Sequence, residues 1–160
     1  MRVKAIVDED FVNYKKASMF IATCFCDWKC CTEGGFGKEI CQNSPTAQQP
    51  NIEITNEQIY NRYISNPITS AIVIGGLEPF LQFSELLSLV TYFRSHGCQD
   101  DFVIYTGYRF EEITTFVLYL AKQKNIIIKY GRYVPGDTPH FDEVLGVNLA
   151  NKEQHATRIS

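Results

Sequence analysis

"SAIVIGGLEPFLQFSELLSLVTYFRSHGCQDDFVIYTGY", residues 70 to 108, carries the pattern from which the fold follows. Residues 70 to 76 form a short β-rich run ending in glycine, and 101 to 108 make a second one. Between them, 83 to 97 place Leu86, Leu87, Val90 and Phe93 on one helical face, with Ser84 as the expected cap and Gly97 as the stop. Strand, helix and strand in so short a span predict two parallel strands joined by a crossover helix.

The alternation continues in both directions. "SMFIATCF" (18 to 25) reads as a buried strand, "NIIIKYGRY" (125 to 133) as a fourth and "VLGV" (144 to 147) as a short fifth. "TNEQIYNRYIS" (55 to 65) offers Thr55 as an N-cap and Gln58 at the capping-box position, with Ile59, Tyr63 and Ile64 at helical spacing. "FEEITTFVLYLAKQKN" (110 to 125) is a further helix, and the tail "ANKEQHATRIS" is expected as a short closing helix or an ordered arm. The order predicts an α/β protein with mostly parallel strands. No linker, repeat or low-complexity tract divides it, so residues 1 to 160 are read as a single domain. Ligands of such sheets bind at the carboxyl ends of strands, and the cysteine cluster, "GGLEP" and "YTGY" all follow strands.

Composition narrows the functional classes. Hydrophobic residues make up 45% of the chain, an ordinary globular value, and the formal charge of −3 comes from mixed acids and bases. No basic face is expected for nucleic acid or an anionic membrane. No apolar run approaches the roughly 18 residues that cross a bilayer. The N-terminus meets Asp8, Glu9 and Asp10 after one short apolar run and so lacks a secretory h-region. A cytoplasmic location is expected.

"CFCDWKCCTEGGFGKEIC" (24 to 41) holds five of the six cysteines. In a reducing compartment such a cluster points to metal or redox chemistry before structural crosslinks. Cys26 and Cys30 are separated by three residues and Cys41 by ten more, with Gly34, Gly35 and Gly37 letting the backbone turn between them. Structural zinc usually takes four ligands in paired short spacings, and no second knuckle is present. Zinc remains an alternative, with Cys24 as a fourth ligand, although a strand running through Cys24 and Cys26 points them to opposite sides. Three thiolates also suit a cubane iron–sulfur cluster with one open iron. Cys31 is a supporting thiol or an alternative to Cys30.

With these residues in view, the chain resembles the radical S-adenosylmethionine enzymes, in particular the activating proteins of anaerobic ribonucleoside-triphosphate reductase. "DEDFVNYKKASMFIATCFC" is similar to the lead-in strand of that family, "CDWKC" to the first half of its CxxxCxxC motif, and "CQN" (41 to 43) to its last cysteine. "GGLEP" (75 to 79) resembles its GGEP-type motif, "VIYTGY" and "KYGRY" its later strands, and "NLANKEQHATRIS" its C-terminal arm. The family usually places two residues between its second and third cysteines where this chain has ten, and Leu77 lengthens the glycine motif by one.

The resemblance implies a small, incomplete, partial TIM-type β/α barrel with one open side. It implies a [4Fe-4S] cluster on Cys26, Cys30 and Cys41, its open iron chelated by S-adenosyl-L-methionine. Gly75, Gly76 and Glu78 hold the methionine ammonium on this reading, and Asn43 contacts the cosubstrate. Trp28 shields the cluster or anchors its loop, whereas Tyr105 and Tyr108 are packing residues and Cys98 a bystander. The implied activity is reductive cleavage of the cosubstrate to make a glycyl radical on a partner, such as the large subunit of anaerobic ribonucleotide reductase, with reduced flavodoxin or ferredoxin as electron donor. The competing expectation is a non-catalytic iron–sulfur or zinc module for folding or docking.

Overall fold

The computed structural model describes residues 1–160. The chain begins with β1 (Arg2–Val3) and β2 (Ala5–Asp10), turns back into β3 (Ser18–Ala22), and passes through α1 (Lys29–Gly34) and α2 (Ser44–Ala47) to β4 (Ile52–Glu53). Next come α3 (Asn56–Ile64), β5 (Ala71–Gly75), α4 (Phe83–Ser95), β6 (Asp101–Tyr105), α5 (Phe110–Leu120) and β7 (Ile126–Tyr130). A hairpin of β8 (His140–Asp142) and β9 (Val147–Leu149) precedes the closing strand β10 (His155–Arg158).

Six strands form one open sheet in the order β10-β7-β6-β5-β3-β2. The central four are parallel, and the two edges pair antiparallel, β2 on β3 and β10 on β7. This is the incomplete β/α barrel that was expected, mixed α/β and not closed. Near-continuous apolar runs such as "AIVI" suit the centre because it is covered on both faces. Met19, Ile21, Ile72, Ile74, Phe102, Ile104, Ile126 and Ile128 meet helices α3, α4 and α5 on one face. On the other, Ala71, Val73, Val103 and Ile127 meet Tyr14, Leu145 and Leu149. This second face is where the site opens, because only the β2–β3 turn and the β8–β9 hairpin cover it.

Several details differ from the sequence reading. The Thr55–Gln58 capping box forms, but Ile64 is exposed while Ile59 and Tyr63 are buried. Ser84 does not cap α4: a 3-10 turn over Pro79–Gln82 feeds straight into the helix, leaving Gln82 at the N-cap and Ser84 inside. "VLGV" is not a strand of the main sheet; residues 143 to 146 are the turn of the β8–β9 hairpin. The tail is an ordered arm, a strand rather than a helix. No helix is long and apolar enough to cross a membrane.

Candidate functional site

At the carboxyl ends of β3, β5, β6 and β7 the open face of the sheet bounds a cavity of about 550 Å3. Cys26, Cys30, Cys41, Asn43, Gly76 and Glu78, separated by up to 52 residues in sequence, all line it, as do Cys31, Lys129 and Thr106. Gly75 lies one residue back, where a Cβ would come within 2.9 Å of the Tyr105 Cβ. Cys24 and Cys98 lie outside the cavity. The Cys24 amide is tied to Gln82, and Cys98 contacts Asp100 behind the sheet.

The cysteine loop is placed by bonds to the next strand. The Thr23 amide and hydroxyl both donate to the Gly75 carbonyl, and the Glu78 amide donates to the Phe25 carbonyl at 2.6 Å. Beyond Cys26 the chain turns through Trp28, a non-glycine residue in the left-handed region with φ of 60°. The Trp28 N–H donates to the Cys26 sulfur at 3.3 Å, which offsets part of the cost of that conformation. α1 then lifts Cys30 into the cavity, where its sulfur accepts the Tyr133 N–H at 3.4 Å. The ten residues before Cys41 contain the rest of α1 and a 3-10 turn over Lys38–Ile40, and the fold-back returns Cys41 to the same cavity. The long spacing is thus taken up by local structure.

The donor set suits a cluster of several irons. Three thiols, Cys26, Cys30 and Cys41, are distributed around one cavity, and thiolates are the usual ligands of such clusters. Burial pushes the Cys26 thiol up to about 12 and raises Cys30 and Cys31 as well. Thiols in this state favour their protons until a metal centre replaces them, so loading is accompanied by proton release.

Beside the thiols stands a pair of buried ionisable side chains. Glu78 is 3% exposed, far from the solvated turn acid that its place before Pro79 suggests. Its carboxylate accepts the amides of Phe80 and Gly107 and the single hydroxyl proton of Thr106. Three of roughly four acceptor positions are filled, leaving one for a ligand. Burial raises its pKa to about 7 despite these donors. Lys129, on β7, is 6% exposed, has no hydrogen-bond partner in the protein, and is lowered by burial to about 8. The Tyr105 ring lies 5.7 Å from Nζ, and Cys30 and Glu78 are near enough to oppose part of that lowering.

Lys129 was missed in the sequence, and Thr106 and Gly107 were noticed only as members of "YTGY". The signal for Lys129 is a lone cation at an inward-facing position of an isoleucine strand, in phase with Ile127. "YTGY" did not reveal the role of Gly107, which depends on contacts across the fold: a Cβ there would meet the Cys30 sulfur at 2.9 Å. Gly76 does have the left-handed backbone its motif suggested, with φ of +80°, and a Cβ would press on Ala22 at 3.0 Å. Asn43 precedes α2 but makes no side-chain cap bond, leaving its amide free at the cavity. Tyr105 and Tyr108 brace loops, their hydroxyls donating to the Asn13 carbonyl and to Asp27.

The family model of the 4Fe-4S single cluster domain matches residues 15–140, a span that holds Cys26, Cys30, Cys41, Gly76, Glu78 and Lys129. The chain belongs to that family and is a 4Fe-4S cluster-binding domain. No curated protein and no solved structure matches it.

Proposed function

We propose that Cys26, Cys30 and Cys41 hold the [4Fe-4S] cluster and that the chain is a radical S-adenosylmethionine enzyme. The observation that carries this reading is the meeting, around one cavity, of the three thiols with an acidic and a basic buried side chain. A zwitterionic amino-acid end needs one partner of each sign. Glu78 offers an acceptor to the ammonium and Lys129 a donor to the carboxylate. Glu78 follows β5 and Lys129 lies on β7, and the burial of both groups supports one direction for the cosubstrate. When bound, the cluster supplies the electron that cleaves the sulfonium carbon–sulfur bond to methionine and a 5′-deoxyadenosyl radical.

The chain's own residues orient and enclose. Tyr105 and Phe20 floor the cavity, Trp28 and Tyr133 flank the thiols, and Asn13, Asn43 and Gln154 offer polar side chains along its walls. By the family resemblance, the target is a glycyl-radical partner of the anaerobic ribonucleotide reductase type, with a flavodoxin or ferredoxin as donor.

Protein purified without oxygen tests the reading. About four irons and four sulfides per chain, with reductant-dependent formation of 5′-deoxyadenosine, are expected. Lys129→Met should keep the iron and lose cosubstrate affinity. One zinc and no sulfide would return the chain to the class of structural modules; a cluster without cosubstrate cleavage would leave a non-catalytic cluster domain.

A further inference from the structure

Neither the thiols nor the Glu78–Lys129 pair accounts for a group of charges on the flank of α1. Arg132 follows β7 by two residues, and its side chain is 4% exposed. A buried guanidinium needs partners for its donors, and they come from three elements. Nε and Nη2 grip Glu33 of α1 in bidentate fashion at 3.0 and 2.8 Å. Nη2 and Nη1 reach the two oxygens of Glu112 on α5 at 2.9 and 2.8 Å, and Nη1 also donates to the Gly107 carbonyl at 2.6 Å. Arg109 pairs with Glu33 at 3.0 Å and Lys29 with Glu112 at 3.1 Å. Three cations thus face two carboxylates, and the group is net positive.

The group lies against Cys30. The Gly107 carbonyl that accepts from Arg132 is 3.9 Å from the Cys30 sulfur. Tyr133, the next residue after Arg132, donates the amide bond to that sulfur. Glu33 is one turn along α1 from Cys30, so the bidentate grip holds the helix that carries the thiol.

We infer that Arg132 is a positioning residue for the cluster: its fork to Glu33 fixes α1 and Cys30 against the sheet, and its permanent charge keeps the cluster's reduction potential up. The inference rests on Cys30 being a ligand. A cluster held by thiolates becomes more negative on reduction, so a fixed cation and an N–H···S bond beside one sulfur both favour the reduced form. The two parts of the role separate by substitution. Lysine keeps the charge and loses the planar fork, whereas glutamine loses the charge.

The test is a potentiometric titration of the full-length, anaerobically reconstituted protein, following the reduced cluster by electron paramagnetic resonance, with iron and sulfide measured on each sample. Arg132→Gln is expected to lower the one-electron reduction constant about tenfold, about 59 mV. Arg132→Lys should stay near the wild-type potential while yielding iron several-fold faster to a chelator. An unchanged potential in Arg132→Gln, or an equal fall in Arg132→Lys, overturns the inference. If Arg132→Gln fails to hold a cluster, Glu112→Gln decides: removing one carboxylate beside an intact Arg132 must raise the potential, and no rise overturns the inference. Zinc without sulfide overturns the cluster reading and this role with it, whereas an intact cluster indifferent to both substitutions overturns the role of Arg132 alone.

Discussion

The two halves of the cysteine loop are held very differently. From Cys26 to Gly34 the chain is fastened by the Tyr108–Asp27 bond, the Lys29–Glu112 pair, the Arg132–Glu33 fork and the Tyr133 N–H donated to the Cys30 sulfur. From Gly35 to Asn51 the backbone bonds are local, and no residue between 32 and 53 is buried. Its ties to the body are an edge contact of Phe36 with Tyr133, Lys38 over the Trp28 ring and the Lys4 bond to the Gln49 carbonyl. Two thiols are therefore preorganised by the sheet, and the third arrives on a segment whose position depends far less on the core. In a loop built this way, lengthening is tolerated between the second and third cysteines, where the extra residues disturb nothing packed.

The largest expected effect breaks the site from either half. Cys26→Ala, Cys30→Ala and Cys41→Ala should each lose most bound iron, while Cys24→Ala and Cys98→Ala retain it. A normal cluster in Cys41→Ala would show that the loose half contributes no ligand and that Cys31 takes its place.

A glycine pair sharpens the contrast. Gly107→Ala puts a Cβ 2.9 Å from the Cys30 sulfur and should destabilise the protein by about 1–3 kcal/mol and reduce iron uptake. In the loose half, Gly37→Ala meets only the far end of Glu39, which can swing aside, so a change within about 0.5 kcal/mol is expected. Thermal unfolding of the two variants checks this, and equal losses would erase the distinction. Gly76→Val makes a poorer probe of cosubstrate binding than its motif suggests. Its positive φ and the Ala22 contact lie directly beneath the cysteine loop, so iron should be lost along with affinity.

A smaller effect appears in the pH dependence of cosubstrate binding. Glu78, lifted to about 7, must be ionised to accept from an ammonium, and affinity should fall below that value. Lys129, lowered to about 8, must be protonated to donate to a carboxylate, so affinity should also fall above it. Each limb approaches about tenfold per pH unit. Binding titrations should flatten on the acid side in Glu78→Gln and on the alkaline side in Lys129→Met; an unaltered profile in both would remove the pair from the site.

The smallest effect concerns the ties of the loose half. Lys38→Ala removes a cation held 5.3 Å above the Trp28 ring, a contact of about 0.5–1 kcal/mol at an exposed position. Iron should be retained, with slightly faster release to a chelator. A large loss would mean that the segment from 35 to 51 is fixed more firmly than its exposure implies.

Local signals survived folding where neighbouring residues settle the outcome. Thr55 and Gln58 form their reciprocal cap because both partners lie within one turn, and Gly97 ends α4 with φ of +84°. The four central strands were legible because covering both faces of a parallel sheet demands an unbroken apolar run. Ser84 was misread because nothing local reveals that the chain enters α4 through a 3-10 turn. "VLGV" was misread because four apolar residues say nothing about which sheet they join.

By itself the sequence determined the α/β order, the apolar strands, and a thiol cluster placed just after the first of them. These follow from periodicity and from chemistry within a few residues. The tertiary structure decided which distant residues share a surface. It brought Glu78 and Lys129, 51 positions apart, to one cavity, set Gly107 against Cys30, and folded the ten-residue spacer so that Cys41 joins Cys26. The physical reason is that parallel pairing aligns the ends of strands distant in sequence, and the register across β3, β5, β6 and β7, with its alternation of faces, selects which side chains meet there.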